Sequence, residues 1–102
     1  MLKVAVICEL GMTSSLIMTK MEQAATAKGI ELEVNAYPLD EIGDHLDVDA
    51  ILVSPQVRFR MGEVQKVVGD RKIAVELIPI RDYGMGKGDK ILDLTVAAVE
   101  KL

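Results

Sequence analysis

One cysteine, one histidine, three aromatic residues and no tryptophan leave this 102-residue chain few ways of doing chemistry. A single thiol excludes an internal disulfide, and with His45 as the sole imidazole the usual ligand set of a thiolate metal site is missing. The aromatics are Tyr37, Phe59 and Tyr83, so a flavin ring would have little to stack on. No apolar run approaches the ~20 residues that span a bilayer, and the N-terminus lacks the charged-then-apolar layout of a secretory signal. A cytosolic protein is expected. The formal charge of −4, with twelve lysines and arginines spread along the chain, argues against a nucleic-acid binder, which would show a basic patch. Low-complexity tracts, Pro/Gly/Ser-rich linkers and internal repeats are also absent, and one domain over 1–102 is expected.

What is present is aliphatic: half of the residues are hydrophobic. Leu2 to Ile7 is an apolar run without alternation, the pattern of a strand buried on both faces. A helical repeat at Ile17, Met21, Ala24 and Ala25 predicts a helix from about Ser14 to Lys28, with Thr13 or Ser14 as its N-cap and Gly29 as its stop. Ile30 to Ala36 alternates and ends before Pro38, which suits a second strand. A short helix or turn over Leu39 to Leu46 and a strand at Ala50 to Val53 follow, the strand stopped by Ser54-Pro55. Val57, Met61, Val64 and Val68 mark a helix over 57–68. A strand from about Lys72 to Ile78 and a helix from Lys90 to Leu102, with Ile91, Leu94, Ala98 and Leu102 on one side, complete the chain.

Strands alternating with helices imply parallel strands joined by right-handed crossovers, with helices on both faces of the sheet. The expected fold is a doubly wound α/β domain, four strands in the flavodoxin-like order 2-1-3-4. The direction of winding then reverses between strands one and three, and ligands of such folds bind there, outside the carboxyl ends of the strands. Cys8 leaves strand one at that place, and Pro55-Gln56 leaves strand three.

Local electrostatics lead to the same loop. Cys8 is followed by Gly11-Met12-Thr13-Ser14-Ser15 and then by the first predicted helix. The free N–H groups of a helix start, with the aligned peptide dipoles, favour an anion. They also favour thiolate over thiol, and the thiolate is the nucleophile. Cys8 is thus a candidate nucleophile turned toward a loop, although cysteine in general is often a small buried hydrophobe.

Cys8 with Gly11-Met12-Thr13-Ser14-Ser15, Pro55-Gln56 after strand three and Tyr83-Gly84 late in the chain resembles the enzyme IIB component of the bacterial phosphoenolpyruvate-dependent sugar phosphotransferase system, in its lactose, cellobiose and chitobiose type. The likeness runs nearly end to end in length and element order. It implies a phosphatase-like α/β fold in which Cys8 takes a phosphoryl group from a histidine of a IIA protein. Cys8 would then pass the group to a sugar, such as a β-linked disaccharide, entering through the membrane component IIC. It further implies that Leu10, Gly11, Met12, Thr13, Ser14 and Ser15 cradle the phosphate. Pro55, Gln56 and Tyr83 would form a neighbouring wall, and neither metal nor organic cofactor would be needed. Two features depart from the pattern: Glu9, whose charge beside the cysteine disfavours a thiolate and a phosphate dianion, and Arg58 with Arg60 after Pro55-Gln56. Those arginines read as a solvated helix face before they read as phosphate or partner contacts.

The nearest alternative is a low-molecular-weight phosphatase-like hydrolase, but the arginine such chemistry needs six positions after the cysteine is here Ser14. Asp82 would be its proton donor. The other is a non-catalytic flavodoxin-like binding domain; the aspartate of a receiver at the end of strand three is here Ser54. His45 reads as a surface residue away from the site. Gly84-Met85-Gly86-Lys87-Gly88 lacks the Ser or Thr of a P-loop and reads as a glycine-permitted turn before the last helix.

Overall fold

The strands lie where the apolar runs placed them. In the computed structural model, which describes residues 1–8 and 11–102 and the side chains of 1–8 and 15–102, β1 (Leu2–Ile7), β2 (Leu32–Tyr37), β3 (Ala50–Val53) and β4 (Ala74–Leu77) form one parallel sheet in the order β2-β1-β3-β4. In register, Val4 stands between Val34 and Ala50, and Ala50 pairs onward with Ala74. Because side chains alternate along a strand, the two central strands feed two separate cores. Val4, Val6, Ala50 and Leu52 turn to one face, and Ala5, Ile7, Ile51 and Val53 to the other. This double burial is why neither strand shows a polar alternation. β2, at an edge, keeps Glu33 and Asn35 exposed.

The first face is covered by α1 (Gly11–Lys28) and α4 (Gly88–Glu100). Ile17, Met21 and Ala25, four residues apart, are buried, and Ile91 and Ala98 meet the same core. Gly29, at φ +71°, ends α1, and the Ile30 N–H donates to the Ala25 carbonyl at 2.8 Å. The two helices touch backbone to backbone at Gly88, where a Cβ would stand 2.3 Å from the Lys20 carbonyl carbon. Lys28 pairs with Asp93 at the other end of the contact. The second face is covered by α2 (Met61–Val68) and two 3-10 helices, Leu39–Asp44 and Pro55–Arg60, whose buried Leu39, Ile42, Val57, Val64 and Val68 close its core.

Boundaries differ from the sequence reading in several places. α1 begins at Gly11, so Thr13 and Ser14 lie within its first turn and not at the cap. The helix read over 57–68 opens as the 3-10 segment, because Val57 departs from helical geometry (φ −118°, ψ 23°). Its apolar stripe is nonetheless the one that packs. A five-residue helix, α3 (Ile80–Gly84), follows β4 where only a loop was read. β2 and β4 are shorter at their starts than the apolar pattern suggested. α4 stops at Glu100 and leaves Leu102 exposed, out of the stripe assigned to it. Among the described residues no helix is long and apolar enough to cross a membrane.

Candidate functional site

Three of the four strands end on proline. Pro38 directly follows β2, while Pro55 and Pro79 each come two residues after the last residue of β3 and β4, and these are the chain's three prolines. β1 alone runs into a different residue, Cys8. The ladder extends one residue past three of the strands: the Cys8 N–H donates to the Tyr37 carbonyl at 3.1 Å, the Ser54 N–H to the Ile7 carbonyl at 3.1 Å, and the Ile78 N–H to the Val53 carbonyl at 2.9 Å. Cys8, Ser54 and Ile78 thus stand in a row along the carboxyl edge of the sheet.

Ser54 is fully buried and spends its hydroxyl on the same Ile7 carbonyl that takes its amide. This ties β3 to β1 just below the edge. Sequence reasoning used Ser54 only to exclude a receiver; its place before a proline at a strand end was the available sign of a tether.

Cys8 continues the pleat of β1, and its side chain falls on the face of Val4 and Val6. It is 6% exposed, which corrects the expectation that it opens onto a loop. Tyr83, itself 5% exposed, lies against it, its hydroxyl 3.8 Å from Sγ across 75 positions of sequence. Tyr83 belongs to α3, the helix that periodicity did not reveal. Of the wall read from the sequence, Tyr83 therefore touches the sulfur, Pro55 is buried at the neighbouring strand exit, and Gln56 is exposed.

Of the expected cradle, Leu10 lies outside the described residues, as does Glu9. Gly11, Met12, Thr13 and Ser14 are described in backbone only and form the first turn of α1, where the loop reading had placed a strand-to-helix connection. Ser15, exposed, accepts the Thr19 hydroxyl on its carbonyl at 3.0 Å. The free N–H groups of α1 thus belong to the residues directly after the cysteine loop, the arrangement that stabilises an anion.

The arginines are engaged in their own segment. Arg58 Nη1 donates to the Pro55 carbonyl at 2.8 Å, and Arg60 reaches Glu63 at 2.6 Å and Asp40 at 3.6 Å. His45 is half-buried: its ring stacks on Tyr37, centroids 3.6 Å apart, and Tyr37 packs on the face away from the Cys8 side chain. The glycines before α4 turn the chain as read, Gly86 at φ +64° and Gly88 at the helix contact. Asp82, the proton donor that a hydrolase would need, is half-buried on α3. Among the described residues no three His, Cys, Asp or Glu side chains gather in a way that could hold a metal ion.

A four-stranded parallel sheet in this order, with a lone cysteine at the carboxyl end of its first strand and a helix opening just beyond, defines the flavodoxin-like and phosphatase-like class of α/β proteins. Within that class the family model for the lactose/cellobiose-specific IIB subunit of the phosphotransferase system (PTS) matches residues 3–94, and the chain belongs to that family. It is 36% identical over 105 residues to the PTS galactose-specific EIIB component of Lactococcus lactis subsp. cremoris, covering 97% of this chain and 94% of that one. It is 37% identical over 91 residues to the oligo-beta-mannoside-specific EIIB component of Bacillus subtilis, covering 88% of each. The solution structure of the cellobiose-specific phosphotransferase IIB component of Borrelia burgdorferi superposes with a TM-score of 0.81 at 27% identity, over 98% of this chain and 93% of that one. The protein is accordingly a phosphotransferase of PTS sugar transport, working with other components of that system.

Proposed function

We propose that Cys8 is the phosphoryl-accepting residue, taking the group from a phosphohistidine of a IIA protein and passing it to a sugar that enters through a IIC permease. The observation that carries this is the place of Cys8: the last residue held in the ladder of β1, at the winding reversal between β1 and β3, with the free amides of α1 next along the chain. Phosphoryl transfer asks for positioning and for charge stabilisation more than for covalent machinery. The amides following Leu10 answer both, with Gly11 to Ser15 as the cradle.

Galactose, cellobiose and oligo-beta-mannosides appear in the names of the relatives. A β-linked disaccharide or short oligosaccharide is the substrate class we assign. The donor docks on the carboxyl rim; Leu16, Phe59, Ile80 and Met85, in segments that follow the carboxyl ends of β1, β3 and β4, expose large apolar side chains for it, Phe59 to 80%. Residues 1–102 act as one phosphocarrier domain on the cytoplasmic side, needing no metal or organic cofactor.

The test is to incubate the protein with phosphoenolpyruvate, the general phosphotransferase proteins and a panel of IIA proteins. Mass spectrometry then looks for one added phosphoryl group. Wild type gains it and Cys8→Ser does not. Label retained by Cys8→Ser, or release of free phosphate from a nitrophenyl ester that depends on Cys8, overturns the reading.

A further inference from the structure

The Tyr83 hydroxyl has more than a packing role. Its ring is set among Ile17, Met21, Ile78 and Ile91 in the core of the first face. α3 is fixed at both ends by backbone bonds: the Tyr83 N–H donates to the Pro79 carbonyl at 3.0 Å, and the Lys87 N–H to the Asp82 carbonyl at 2.9 Å. The hydroxyl is therefore held at a set place, and what it meets there is Sγ of Cys8, within the reach of a hydrogen bond to sulfur. Burying a phenol hydroxyl costs free energy unless it is hydrogen-bonded, and phenylalanine would fill the same apolar space without that cost. Charge on a sulfur with 6% exposure is costly too, and a neutral donor offsets the cost without adding a competing charge.

We propose that Tyr83 is a catalytic residue of this protein, its hydroxyl donating a hydrogen bond to the Cys8 sulfur in the thiolate state from which the phosphoryl group is accepted and to which it is released. The role rests on the reading that Cys8 carries the phosphoryl group. In the outgoing step an acceptor hydroxyl oxygen attacks phosphorus and the P–S bond breaks. Both electrons stay on sulfur, and the acceptor's proton passes to water. Tyr83 keeps its own proton throughout and only solvates the charge that gathers on Sγ. In the incoming step the same bond keeps the thiolate populated until the phosphohistidine docks.

Removing one donor from a charged group costs about 1.5 kcal/mol, about tenfold in a rate or one unit on a pH axis. The experiment is the pH profile of Cys8 alkylation by iodoacetamide, which needs no phosphotransferase partner. Tyr83→Phe, which keeps the ring and the core, moves the midpoint of the profile up by about one unit. Replacing Tyr83 by 3-fluorotyrosine, nearly the same shape and a stronger donor, moves it down. In the reconstituted system Tyr83→Phe also delivers phosphoryl groups to sugar about tenfold more slowly, at an unchanged melting temperature. Profiles that coincide in all three proteins overturn the role of Tyr83. Failure of Cys8 to gain a phosphoryl group instead overturns the reading of function, and the alkylation profiles separate the two outcomes.

Discussion

The two faces of the sheet are built from unlike material. One carries helices of 18 and 13 residues that meet backbone to backbone at Gly88. The other carries an eight-residue helix and two six-residue 3-10 segments, trimmed with arginine contacts and an aromatic stack. Both cores are buried and almost wholly aliphatic. The difference lies in what reaches the carboxyl edge. Where β1 leaves the sheet, Cys8 meets Tyr83 of the long-helix face, with the start of α1 next along the chain, while β3 leaves it at Ser54, whose amide and hydroxyl are already bound to Ile7. A common edge thus holds the proposed phosphoryl-accepting station and a structural one, on adjacent strands.

The widest gap between the two stations is in chemistry. Cys8→Ala abolishes phosphoryl transfer to sugar in the reconstituted system, whereas Ser54→Ala retains it; loss of transfer in both would mean that the edge works as one unit. Next comes the helix contact. Gly88→Ala drives a methyl group into the backbone of Lys20 and Met21 and destabilises the fold by about 1–3 kcal/mol, read as a lowered urea midpoint. An unchanged midpoint would mean that α4 has room to move away from α1. Ser54→Ala, a smaller change, costs about 1 kcal/mol by the same measurement, because the Ile7 carbonyl keeps the Ser54 amide when the hydroxyl is gone. Smallest is Arg60→Gln. Its partners Asp40 and Glu63 are largely exposed, and such pairs contribute well under about 1 kcal/mol. A larger loss would give the short-helix face an electrostatic role that its geometry does not suggest.

Sequence pattern was informative where a residue's fate depends on its neighbours in the chain. β1 and β3 were read to the residue because an unbroken aliphatic run cut off by Cys8 or by Ser54-Pro55 has no other comfortable conformation. The stripe Ile17, Met21, Ala25 fixed α1, but its start was read three residues late: Thr13 and Ser14 are good caps, and nothing local says that the helix begins before them. α3 was missed because five residues make little more than one turn and show no period; Pro79 just ahead of Ile80 was the one sign. That omission mattered for the site. Cys8 was legible as the proposed centre, yet its neighbour Tyr83 reaches it through tertiary structure alone. The stack of His45 on Tyr37 was illegible for the same reason, since it joins two positions that no spacing rule pairs.

The prolines have one more consequence. A group bearing negative charge that drifts along the carboxyl edge looks for amide hydrogens, and proline has none to give. Within two residues of the ends of β2, β3 and β4 an amide hydrogen has been deleted, at Pro38, Pro55 and Pro79. After β1 it has not. On the proposed reading, the anionic cargo sits at the one strand exit where proline has removed no amide.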